Sequence, residues 1–250
     1  LRGDRARGAS ATSARIWTGQ LSARHSHVRP PPPPRRRRPA APAQIELLAR
    51  LEHHGIVRLF GAGHKPRRFM VLERLDGGTL GDVTRALGGG QRPTHRGVMA
   101  MPYRTLLVHA HTLAAALEFI HHGADARRMT LHRDLKPDNI GFTGGVLKLL
   151  DFGLACSVER AHTCNQRYEM TGETGTLRYM APEVARSEPY NEKIDTFSFG
   201  LCVWEMASGR QPFVGFNAEL FRKLVVDQGV RPELPSMWPR DFCALLEGCW

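Results

Sequence analysis

Apolar residues first recur at helical spacing at Ile45, Leu47, Leu48 and Leu51. That spacing predicts one face of a helix ending before the His54-Gly55 turn. Two short strands are predicted next, over residues 56–60 and 69–72, with residues 61–66 as the turn between them. Asp76-Gly77-Gly78 interrupts the pattern, and a short helix over residues 79–87 and a loop over 88–102 follow. A long helix is predicted over residues 103–122, with Leu106, Leu113, Leu117 and Ile120 facing the core. Further on, the apolar runs 140–142 and 146–149 flank Thr143-Gly144-Gly145 and predict a hairpin. Helices are expected over residues 195–208, 218–227 and 239–250. A small strand-bearing start thus leads into a helix-rich bulk, with no internal repeat.

The formal charge of +11 invites a nucleic-acid reading until it is located. Residues 1–43 hold ten arginines, no lysine and one acid, Asp4. The excess therefore belongs to a leader, not to the periodic part of the chain. Pro30–Pro34 followed by Arg35–Arg38 should be extended polyproline helix and then a self-repelling run, so no packed structure is expected there. The leader reads best as a solvated linker. Binding nucleic acid through its arginines is the weaker alternative, since Trp17 is its only aromatic for stacking. No nucleic-acid partner is expected.

Five cysteines, at 156, 164, 202, 243 and 249, have no metal-site spacing, and the odd count argues against a disulfide framework. A reducing compartment follows, cytoplasmic or nuclear. The longest apolar stretch, residues 106–120, is broken by His109, His111 and Glu118, so no membrane span is expected.

The chemistry concentrates in His132-Arg133-Asp134-Leu135-Lys136-Pro137-Asp138-Asn139, followed twelve residues beyond Asn139 by Asp151-Phe152-Gly153. The hairpin between them would bring Asn139 and Asp151 to neighbouring ends of one rigid element. Phosphoryl transfer asks little covalent work of a protein; it needs charge on the phosphates and an acceptor hydroxyl held in line. Asp134 can take or orient the hydroxyl proton. Lys136 can neutralise the moving phosphoryl group. Asn139 and Asp151 offer hard oxygen ligands suited to Mg²⁺.

With these motifs the sequence resembles the eukaryotic protein kinase family, in its Ser/Thr-directed form. Gly175-Thr176-Leu177-Arg178-Tyr179-Met180-Ala181-Pro182-Glu183 is similar to the end of an activation segment, and Asp195-Thr196-Phe197-Ser198-Phe199-Gly200 to the buried helix beneath the catalytic loop. The wording of 175–183 and the Cys249-Trp250 ending are closest to the tyrosine-kinase-like group. The resemblance implies an α+β, bilobal fold with a truncated small lobe and a mainly helical large lobe, ATP and Mg²⁺ as cofactors, and a protein substrate; the oligomeric state stays unknown. It implies Asp134 as catalytic base, Lys136 and Thr176 beside it, Asn139 and Asp151 on the metal, and Arg133 on an activation-loop phosphate borne by Thr171 or Thr174. Leu72 would be the gatekeeper, with the backbone from Glu73 to Leu75 on the adenine edge. Leu48, Leu59, His132 and Phe152 would stack as a regulatory spine anchored by Asp195.

The chain also departs from that pattern. No glycine-rich phosphate loop can be built from Gly3, Gly8 and Gly19, and no lysine precedes Lys65. Gln44 stands where the family has the glutamate that grips such a lysine, and Glu46 points to another face. Three segments are expected: leader 1–43, small-lobe remnant 44–75, and large lobe 76–250, incomplete at its C-terminus. The abrupt start at Gln44 suggests an altered front end, so weak activity is expected of this chain, with a non-catalytic scaffold as the alternative. Glu183 is expected to lack an ionic partner, Gly141 replaces a bulkier residue beneath the adenine, and residues 123–130 lengthen the approach to the catalytic loop.

Overall fold

A computed structural model describes residues 41–88, 98–160 and 166–250, together with the backbone of 14–16. The polyproline and arginine runs, Cys164 and the middle of the 88–102 loop lie outside the described residues.

The first helix, α1 (Ala41–Leu48), leans on a three-stranded antiparallel sheet of β1 (Ala14–Ile16), β2 (Leu59–Gly63) and β3 (Phe69–Glu73), in the order β1-β3-β2. Three expectations are corrected by these strands. Residues 61–63, assigned to a turn, are strand: a register shift between Leu59 and Gly61 realigns β2, and Gly63 leaves room for the Phe69 ring, which lies 2.5 Å from where a Cβ would stand. Ile56 and Val57, assigned to that strand, instead join a different partner. Val57 donates to the Leu149 carbonyl at 3.0 Å, and the Leu149 amide to Gly55 at 2.7 Å. The leader was also expected to carry no packed structure, yet its β1 pairs along the free edge of β3, where unpaired backbone groups seek partners.

A reciprocal cap starts α2 (Leu80–Gly88): Thr79 Oγ1 accepts from the Asp82 amide at 3.1 Å while the Asp82 carboxylate accepts from the Thr79 amide at 3.1 Å. Helix α3 (Tyr103–Glu118) continues through a wide turn, Phe119–Gly123, and buries Leu106, Leu113, Leu117 and Ile120 as its period requires. Short strands follow: β4 (Arg128–Leu131), β5 (Ile140–Thr143), β6 (Val146–Leu149) and β7 (Cys156–Glu159). The β5–β6 hairpin is the one the sequence predicts; the β4–β7 pair is not, because Met129 and Leu131 alone are too few to declare a period.

Beyond them lie α4 (Pro182–Ala185), α5 (Lys193–Ser208), α6 (Ala218–Phe221) with its wide turn Arg222–Asp227, and α7 (Arg240–Glu247). Helix α5 is the pillar of the large unit, buried from Ile194 to Ala207 apart from Thr196. Cys249 and Trp250 close over it at Gly200, where a Cβ would come within 2.6 Å of Cys249. The described cysteines, 156, 202, 243 and 249, are free thiols. No described helix is long and apolar enough to cross a membrane.

The core predicts its own sensitivity. Leu113 is fully buried, so Leu113→Ala should lower unfolding free energy in urea by about 2–5 kcal/mol. Val108, 56% exposed on the same helix, should tolerate alanine within about 0.5 kcal/mol.

Candidate active site

The site is built outward from one buried carboxylate. Asp195, 1% exposed at the start of α5, accepts the His132 amide at 2.7 Å, the Arg133 amide at 2.9 Å and a contact with His121 Nε2 at 2.9 Å. Burial alone would raise the carboxyl. The His121 bond and charge, with His132 beside it, outweigh burial and hold Asp195 below the usual carboxylate range. Its grip fixes a strained loop: Arg133 sits at φ 66°, a left-handed conformation that costs any residue with a Cβ energy and persists only where its surroundings enforce it.

His132 is itself fully buried and locked in one tautomer. Its Nδ1 accepts the Asp134 amide at 3.3 Å, so the proton lies on Nε2, which donates to the Leu150 carbonyl at 2.8 Å. The ring meets Phe152 edge-on, 5.1 Å between centroids. Leu48 and Phe152 are buried in one hydrophobic core, and Leu59 packs against it.

Asp134, the residue next after that loop, collects a closed set of bonds. Thr176 donates to Asp134 Oδ1 at 2.8 Å, Lys136 Nζ donates to Asp134 Oδ2 and to Thr176 Oγ1, each at 2.8 Å, and Asn139 Nδ2 donates to the Asp134 carbonyl at 2.8 Å and to Oδ2 at 3.1 Å. Gly175 makes this closure possible. Its φ is 104°, and a Cβ there would stand 2.4 Å from the Arg133 carbonyl, so only glycine lets Thr176 approach.

The hairpin register brings Asp151 alongside. Ile140 pairs with Leu149, and the Leu150 amide donates to the Asn139 carbonyl at 2.9 Å, which sets Asp151 one residue past Asn139's partner. Asp151 is exposed, left-handed at φ 49°, and its Oδ1 accepts from the Gly153 amide at 3.1 Å and from Gln44 Nε2 at 3.5 Å. It forms no ion pair among the described residues. An exposed carboxylate without a protein cation and a neutral amide, both hard oxygen donors, fit a divalent magnesium ion better than a transition metal.

The residues that the sequence nominates for the adenine lie on β3 and directly after it. Leu72, half-buried, pairs with Leu59. Of the Glu73–Leu75 backbone, the Glu73 amide donates to the Arg58 carbonyl at 2.8 Å, and the Arg74 carbonyl accepts from Thr143 Oγ1 at 2.8 Å. The Leu75 amide therefore remains as a donor with no partner among the described residues. Leu75 also answers the missing side chain at Gly141: a Cβ there would lie 2.6 Å from Leu75 Cδ1 and 3.2 Å from Leu150 Cδ1, so those two leucines fill the floor.

The residues that the sequence nominates as regulatory meet at Arg133. Its Nη1 donates to Thr171 Oγ1 at 3.1 Å and to the Tyr190 hydroxyl at 3.2 Å, and Tyr190 donates to the Thr171 carbonyl at 2.9 Å. Thr171 is exposed. Thr174 is 6% exposed and turns its hydroxyl inward to the Thr171 carbonyl at 2.9 Å.

Sequence reasoning missed three contributors. His121 was assigned only to a helix end, because nothing in a His-His pair marks one as the partner of a carboxylate 74 positions away. Lys148 forms a largely shielded ion pair with Glu73 at 3.0 Å. Glu205, 1% exposed, accepts from Tyr179 at 2.7 Å and from Thr84 at 3.0 Å, tying α5 to α2 and to the turn after Thr176. The Trp204-Glu205 dipeptide was the available signal.

Residues 34–250 match the family model described as protein kinase domain. Mitogen-activated protein kinase kinase kinase 7 of Homo sapiens is 33% identical over 214 residues, which cover 83% of this chain and 32% of that protein. Serine/threonine-protein kinase VIK of Arabidopsis thaliana is 34% identical over 214 residues, 83% of this chain and 45% of that protein. Serine/threonine-protein kinase STY46 of the same plant is 31% identical over 209 residues, covering 83% and 33%. The chain spans about a third of the length of the mammalian relatives it matches.

Burial pushes the Glu205 carboxyl above its ordinary value, with the bonds from Tyr179 and Thr84 opposing. The folded chain then binds that proton more tightly than the unfolded chain, so stability falls as pH rises from about 4.5 through the raised value. Glu205→Gln should flatten that decline in urea unfolding between pH about 4.5 and 7. Glu205→Ala should instead cost about 1–3 kcal/mol by stranding two buried hydroxyls.

Proposed function

The chain belongs to the protein kinase domain family, and on that premise we propose that it transfers the γ-phosphoryl group of ATP to serine or threonine hydroxyls of a protein substrate, in the presence of Mg²⁺. The observation that carries this reading is the closed set of bonds around Asp134, together with a hairpin register that sets Asp151 one residue past the backbone partner of Asn139.

The Asp134 carboxylate would take the proton of the incoming hydroxyl, oriented by the bonds from Thr176 to Oδ1 and from Lys136 and Asn139 to Oδ2. Lys136 keeps its charge within 2.8 Å of that carboxylate, where it neutralises both the ionised base and the phosphoryl group passing it. In the reaction the substrate oxygen bonds to the γ-phosphorus as the bond to the β,γ-bridging oxygen breaks, and ADP leaves. Asn139 and Asp151 would hold Mg²⁺, whose charge screens the phosphates. The Leu75 amide is the donor for the adenine edge, with Leu72 behind it and Leu75 and Leu150 below.

Arg133 supports a phosphate-responsive segment. Its guanidinium already reaches the Thr171 hydroxyl, and Thr171 is exposed while Thr174 is not, so Thr171 is the residue whose phosphorylation would strengthen the contact into a charge-assisted pair. A non-catalytic scaffold is the second reading. It is favoured by Gln44, a neutral amide facing Asp151 from α1 where an ion-paired glutamate would otherwise stand.

A radiolabelled ATP assay on a mixed protein substrate decides between them. Measurable transfer to Ser or Thr, well below that of an intact kinase and lost by about 10²–10⁴-fold in Asp134→Asn, supports the kinase reading. Binding of Mg²⁺ and ATP with no transfer supports the scaffold. Transfer unchanged by Asp134→Asn contradicts the assigned chemistry.

A further inference from the structure

We infer that Gln44 is a positioning residue for the metal-binding carboxylate of Asp151, acting from α1 through its side-chain amide. This inference rests on the reading of Asn139 and Asp151 as the Mg²⁺ site.

The fold sets Gln44 at that point. Leu48, one helical turn further along the same face, is buried in the core, and α1 packs against the tight turn Phe152–Leu154 in which Phe152 is also buried. Between these apolar anchors the Gln44 side chain spans the residues ahead of the turn. Its Nε2 lies 3.5 Å from Asp151 Oδ1, and its Oε1 is 3.8 Å from where a side chain on Gly153 would begin. The same Oδ1 accepts from the Gly153 amide at 3.1 Å. One carboxylate oxygen is therefore held from two sides, and Oδ2 takes part in none of the bonds among the described residues.

The residue type matters. A carboxylate at position 44 would face Asp151 with like charge unless a cation stood between them, and Asp151 has no cationic side chain paired to it among the described residues. An amide of the same length donates a hydrogen bond and adds no charge. Gln44 can thus dock α1 against Asp151 without the lysine that the sequence lacks before Lys65. It fixes the rotamer of the metal ligand while leaving the full negative charge of Asp151 for the ion, as partners behind a metal ligand commonly do.

Mn²⁺ is the probe, titrated into the whole chain with saturating ADP and followed by the electron paramagnetic resonance signal of the free ion. Gln44→Met, which keeps length and apolar packing but loses the donor, should weaken Mn²⁺ binding about tenfold. Glu46→Ala, on an exposed position of the same helix, should leave it unchanged. Asp151→Asn should abolish it. Loss in Asp151→Asn with wild-type binding in Gln44→Met overturns the role of Gln44 and leaves the metal site standing. Equal weakening in Glu46→Ala also overturns it, because the effect would then belong to helix stability. Full binding in Asp151→Asn, or none by the wild-type chain, overturns the metal site and this inference together. Far-UV circular dichroism on each variant checks that α1 is retained; a Gln44→Met chain with wild-type helicity and weakened binding supports the amide as the cause.

Discussion

Three hydrogen bonds converge on the buried carboxylate of Asp195, and the geometry of the site descends from them. Two are backbone amides of consecutive residues, His132 and Arg133, so the bonds fix the path of the chain and not merely a side chain. The path they impose is strained at Arg133 and delivers Asp134 directly after it. A carboxylate buried this deeply survives because its neighbours satisfy it. His121 supplies the third contact from the end of α3, so the two longest helices, α3 and α5, grip the catalytic loop together.

From that anchor the residues divide between two kinds of order. Asp134, Lys136, Thr176 and Asn139 are locked to one another and so are preorganised without any bound phosphate, as electrostatic stabilisation of a transition state requires. Asp151 and Thr171 are exposed and more loosely held, Asp151 by the Gly153 amide and a long contact to Gln44, Thr171 by Arg133 and Thr174. These are the places where binding or modification can still add order. Gly141 shows a third device: the space a side chain would take there is filled by Leu75 from the segment after β3 and by Leu150 from the strand end.

Much of this was legible in the sequence, for stated reasons. Helix α3 carries an apolar period, the β5–β6 hairpin carries turn glycines, and α5, apolar all round, is marked by its family-like motif; all three appear within a few residues of their expected bounds. Asp134, Lys136, Asn139 and Thr176 were identifiable from spacing and resemblance, and they meet within hydrogen-bond distance. What the sequence hid was long-range or backbone-made. The strand at 61–63 depends on glycines that read as a turn, and the Val57–Leu149 link is a backbone bond that leaves no pattern. His121 and Glu205 are ordinary residues until the fold carries Asp195 and Tyr179 to them. That the Glu73 amide serves the Arg58 carbonyl is likewise a matter of backbone pairing that leaves no pattern in the sequence.

The central claim is that Asn139 and Asp151 share one divalent cation next to Asp134. A crystal of this chain grown with Mn²⁺ and a non-hydrolysable ATP analogue, with data collected at the manganese absorption edge, addresses it directly. The account predicts an anomalous peak about 2.0–2.3 Å from both the Asn139 side-chain oxygen and the Asp151 carboxylate, with a phosphate oxygen completing the shell. Manganese bound at some other surface, or at Asp151 with Asn139 turned away and still bonded only to Asp134, would contradict it.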